Sequence, residues 1–72
     1  MSEDVAMAGA LAEARAAFEA DELVRDLPPG RPERRERMRQ IIHAVAAAWG
    51  VERMELTMAL ASNSARDAAG SA

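Results

Sequence analysis

The stretch RPERRERMRQ, residues 31–40, places five arginines and two glutamates in ten positions. Arginine is a fixed planar cation whose fork of donors matches phosphate and carboxylate groups. Such a collar can hold an external anion, either the backbone of a nucleic acid or the acidic face of a protein. It can also pair with Glu33 and Glu36 at helical spacings of three and four residues, which makes it a solvated face. Residues 1–26 offer a third outlet, because they carry seven acids against two arginines. That acidic block could meet the collar within one chain or between two copies.

The remaining chemistry-bearing types are sparse. The chain has one histidine, His43, and neither cysteine nor tyrosine. Disulfides and thiolate metal sites are therefore excluded, and a lone histidine lacks the second ligand that zinc requires. It also lacks the partners that make a histidine a general base. Neighbouring carboxylates such as Asp21 and Glu22 do not converge when they lie on a helix. PPG at residues 28–30 is a turn, with prolines where a phosphate loop would need backbone N–H groups. The expectation is a protein that is not an enzyme, has no metal and no cofactor, and works by binding.

The elements that must position the collar are helical. Residues 3–25 are rich in Ala, Glu, Arg and Leu, with Ser2 as a cap and Glu3 and Asp4 at the positive end of the helix dipole. Met7, Leu11, Ala14 and Phe18 fall on one face, and Gly9 weakens the first turns, which predicts fraying there. A proline- and glycine-rich connector at 26–31 stops this helix. Pro32 suits the first turn of a second helix over 32–49, whose apolar stripe is Met38, Ile41, Ile42, Val45 and Trp49. Gly50 ends it. A third helix over about 52–62 turns Val51, Leu56 and Leu60 inward and carries Met54 and Met58 on an adjacent face. Residues 63–72 are small and polar, and a frayed or flexible tail is expected.

Size limits what this arrangement can bury. Seventy-two residues make one small domain, half of them hydrophobic but many of those alanine. Larger apolar side chains number roughly eighteen, a thin core that favours self-association into a homodimer. Net charge is −3, which disfavours non-specific attraction to nucleic acid except through the collar. All nine basic residues are arginine, a usage that points to a GC-rich bacterial or phage genome. No apolar run reaches the ~20 residues of a membrane span, and Ser2, Glu3 and Asp4 stand where a secretory leader would be basic. The expected setting is soluble and cytoplasmic, with no membrane.

Ala46, Gly50, Val51 and Leu56 fill the slots of a helix-turn-helix: small residue, turn glycine, apolar residue, and anchor in the following helix. MRQIIHAVAAAWGVERMELT, residues 38–57, resembles part of the C-terminal DNA-binding domain of the bacterial replication initiator DnaA. The resemblance implies a helical corner of the kind that reads DNA. In that family a basic loop and an arginine-rich recognition helix follow; here MALASNSARDAAGSA follows, with Arg66 as its one base. If the corner reads DNA, the candidates are Thr57, Asn63, Ser64 and Arg66, with Arg34, Arg35 and Arg39 on phosphates.

The sequence thus leads to an all-α domain of three helices, the second and third arranged like a helix-turn-helix. The leading function is a small regulatory or inhibitory protein that binds a protein partner. Trp49, Met54 and Met58 form its surface, bordered by Arg34, Arg35 and Arg39. A dimeric DNA-binding regulator of transcription or replication is the alternative, and a structural subunit of a larger assembly is a further one.

Overall fold

The computed structural model describes residues 2–70, with side chains described through residue 63. The fold is all-helical, and the described residues contain no strand. Four helices follow one another: α1 (Glu3–Ala20), α2 (Glu22–Asp26), α3 (Pro32–Trp49) and α4 (Arg53–Gly70). The three long helices pack pairwise around one core, and α2 lies against α1 and α3.

Four helices replace the expected three because the segment 3–25 is broken at Asp21. Its backbone is extended, and its carboxylate accepts the Val24 N–H at 3.2 Å, so it closes α1 and caps α2. A short carboxylate that can bond the backbone two or three residues ahead offers the chain an alternative to continuing the helix. Here that alternative wins, because Arg37 of α3 binds the other oxygen at 2.6 Å.

The core stripe of α1 is made of small residues. Ala6, Ala10 and Ala14 are buried, while Met7, Leu11 and Phe18 only flank them. From α3 come Ile42, Val45 and Ala46, and from α4 comes Leu56, the one large side chain that is wholly inaccessible among the described residues. Alanine at the crossing lets the helix backbones approach closely, so few bulky side chains suffice to exclude water.

Gly9 belongs to the same device. A Cβ at that position would collide with the Trp49 ring. Gly9, expected from sequence to weaken the first turns, also has a packing role: its missing side chain is the seat of the indole. The indole N–H donates to the Glu13 carboxylate at 3.1 Å, one turn further along α1.

Local chemistry sets the other boundaries. The Ser2 hydroxyl accepts from the Val5 N–H at 3.3 Å at the start of α1. Pro32 occupies the first turn of α3, where its lost N–H has no helical partner to give up. Gly50 sits in the left-handed region at φ 68°, and the Val51 N–H reaches back to the Ala46 carbonyl at 3.0 Å. That six-to-one bond is a Schellman ending, and Val51 tucks against the core beside it. After the turn at Gly50, Val51 and Glu52, α4 continues to Gly70 rather than ending near Ser62, so the stretch expected to be a tail has helical backbone through Gly70.

Candidate partner-binding groove

The arginine collar divides into two sets. Arg34 and Arg37, three residues apart, turn toward α2. The Arg34 Nε donates to the Val24 carbonyl at 2.8 Å. That carbonyl lies in the last turn of α2, where no intrahelical donor remains. The Arg37 Nε binds Asp21 at 2.6 Å, and the Asp21 side chain is only 11% exposed. This hydrogen bond is the main reason that Asp21 is held below the usual carboxylate range; the Val24 N–H adds to it, and partial burial opposes it. These two arginines tie the start of α3 to the break between α1 and α2.

Arg35 and Arg39, four residues apart, face the other way. Arg39 reaches both oxygens of Glu36, at 2.7 and 2.9 Å. The pair lowers the Glu36 pKa and raises that of Arg39. Arg35 is exposed, and its guanidinium has no hydrogen-bond or ion-pair partner among the described residues. Arg31 pairs with Glu33 at 3.3 Å. The solvated-face and self-pairing expectations each hold for part of the collar.

Between α3 and α4 these outward arginines border an open groove of about 590 Å³. Met38, Ile42 and Met54 supply its apolar surface, with Pro32 and Thr57 beside them and Arg35, Glu36, Arg39 and Arg53 as the charged lining. Met38 and Ile42 sit one turn apart on α3, which is why they share a face. The Thr57 hydroxyl is already satisfied, donating to the Arg53 carbonyl at 2.9 Å. Met38, Ile42 and Thr57 also line a second apolar hollow of about 390 Å³, which runs on toward Phe18, Leu60 and Asn63. Met54 and Met58, one turn apart on α4, are 63% and 65% exposed.

Of the residues singled out from sequence, Arg35, Arg39, Met54 and Thr57 meet at this groove. Met58 stands on α4 one turn beyond Met54, outside the groove lining, and Asn63 lies on the neighbouring hollow. Trp49 is elsewhere, half-buried over Gly9 and hydrogen-bonded to Glu13. Arg34 is turned to Val24. The side chains of Ser64 and Arg66 lie outside the described residues.

Sequence reasoning did not place Arg53, Met38 and Ile42 at the groove. The signal was present in the α3 spacing, where 35, 39 and 42 follow one another at helical intervals, but the partner face on α4 needs the corner's geometry. His43 is exposed, with its Nδ1 3.2 Å from the Arg53 guanidinium. No group of three histidine, aspartate or glutamate side chains among the described residues could hold a metal ion. No helix among them is long and apolar enough to cross a membrane. No protein-family model, curated protein or solved structure matches the chain.

Proposed function

We propose that this chain is a small non-enzymatic regulatory or inhibitory protein that acts by binding another protein through the surface shared by α3 and α4. The observation that carries the reading is the exposed pair Met54 and Met58, one turn apart on the open face of α4, with Met54 also lining the groove. Isolated exposed apolar residues are ordinary on any protein; a contiguous patch bordered by charge is the pattern of an interaction site. Methionine suits that work because its unbranched, polarizable side chain adapts to a partner's shape. The test is affinity capture from cells that encode the protein. Met54→Asp or Met58→Asp removes the captured partner, while Val5→Asp, which alters an exposed apolar residue on α1, leaves it. The reverse pattern sinks the reading.

A helix-turn-helix DNA reader, acting as a dimer, comes second. The corner favours it: Gly50 is left-handed and Leu56 is a fully buried anchor in the slot that such a motif requires. Its phosphate contacts would be Arg34, Arg35 and Arg39, but Arg34 is engaged with Val24 and Arg39 with Glu36. Arg53 opens α4, but the residues that follow on its open side, Met54, Glu55 and Met58, offer a phosphate backbone little.

A further inference from the structure

We infer that the groove between α3 and α4 takes an acidic amphipathic helix of a partner protein; the inference rests on the protein-binding reading above and names the chemistry of the partner. Three guanidiniums, Arg35, Arg39 and Arg53, line this groove against a single carboxylate, Glu36. The protein as a whole carries a net charge of −3, so the groove is opposite in sign to the chain that forms it. Local potential at a binding surface selects the opposite charge in the partner. Arg35 is the most available of the three, since its guanidinium has no partner among the described residues. Arg39 shares its charge with Glu36, and the Arg53 guanidinium lies 3.2 Å from the imidazole of His43 rather than against a carboxylate among the described residues.

The groove floor decides the partner's other half. Met38, Ile42 and Met54 call for apolar side chains, and the cleft lies between two helices. A helix laid in a groove presents apolar anchors at spacings of three, four and seven residues, with charge on either side of that stripe. Carboxylates flanking such a stripe would fall on the arginines at the groove edge. A nucleic acid meets the arginines but leaves the methionines uncovered and brings phosphate against Glu36. A second copy of this chain placed groove to groove sets guanidinium against guanidinium, a like-charge contact that disfavours it.

The test pans the intact protein against a displayed library of helical peptides. Each member carries leucine at the anchor positions, with Glu, Lys, Gln and Ala randomised at the flanks. Enrichment of glutamate at the flanks is expected. The selected peptide should bind roughly tenfold tighter than its lysine counterpart, the combined return of several rim ion pairs of modest individual strength. It should weaken as salt rises. Amide shifts should map to Arg35, Met38, Arg39 and Met54. Arg35→Gln with Arg39→Gln should erase the glutamate preference while residual apolar binding persists, and Met54→Asp should remove both with the circular dichroism unchanged.

Equal enrichment of glutamate and lysine overturns the acidic partner and leaves the protein-binding groove standing. Failure to enrich any peptide, or shifts that avoid α3 and α4, overturns the groove as well. Saturable binding of a duplex DNA probe that competes for the same residues, or a dimer dissolved by Met54→Asp, overturns the proposal in favour of that other occupant.

Discussion

Trp49 and Met54 stand on either side of the turn at Gly50, and the fold treats them in opposite ways. Trp49 closes a contact. Its ring fills the space that Gly9 leaves on α1, and its N–H is used on Glu13. Met54 closes nothing, since it is 63% exposed at the start of α4 beside an open groove. The α1–α3 contact reaches density with alanine and glycine, which carry no side-chain entropy to lose. The α3–α4 outer side keeps large, flexible apolar groups in water, where they contribute little to folding. On the function proposed above, the two methionines left outside on α4 serve a partner and not the fold.

That contrast can be broken at several points, and the largest effect is expected where α4 is truly anchored. Leu56→Ala empties the one large side chain that is fully buried among the described residues and should cost about 2–5 kcal/mol. A domain of this length has only about 4–11 kcal/mol in total at typical stability per residue. Urea unfolding followed by circular dichroism checks it, and a loss under 1 kcal/mol would mean that α4 does not depend on this anchor. Next comes Trp49→Ala, at about 2–4 kcal/mol, toward the lower end for a tryptophan because the ring is only half-buried. The same experiment reads it; an unchanged midpoint would move Trp49 to the set of binding residues and dissolve the contrast.

Gly50→Ala should cost about 1 kcal/mol, since a Cβ meets no neighbour there and the penalty is the left-handed backbone alone. A thermal shift of several degrees is the readout for a domain of this size. A smaller effect is expected from Asp21→Asn, and it is best seen as a change in pH dependence. The folded pKa of Asp21 is depressed, so its contribution to stability is present above the unfolded value of about 3.9 and is lost as pH falls through the folded value. Melting temperatures of the parent should therefore drop over this acid range more steeply than those of the variant. Parallel curves would show that the Arg37 pair does not bear on folding.

Much of the helical frame was legible in residues alone. Pro32 and Gly50 mark both ends of α3, and the stripe through Ile42 and Val45 is the stripe that is buried. The break at Asp21 was hidden because ADELV satisfies helix propensity as well as it satisfies a cap. What tips it is Arg37, sixteen residues away in sequence. The packing role of Gly9 was hidden for the same reason: locally it weakens a helix, and only the ring of Trp49 shows what its missing side chain accommodates. For the groove, the exposed methionines and the arginine collar were both visible. Their division was not, since Arg34 and Arg35 are neighbours in sequence and differ only in which side of α3 they leave from.

On the proposed function, the Met54 and Met58 surface is spare for the fold and needed for a partner. The double variant Met54→Asp/Met58→Asp tests it most directly, with urea unfolding and partner capture measured on the same preparation. Both sites are exposed, and an aspartate at position 54 lies in the first turn of α4, where the helix dipole favours it. Stability should stay within about 0.5 kcal/mol of the parent, with the same denaturant slope, and capture should be lost. A stability loss of about 2 kcal/mol or more would make these methionines part of the core, and full capture by a stable double variant would place the binding surface elsewhere.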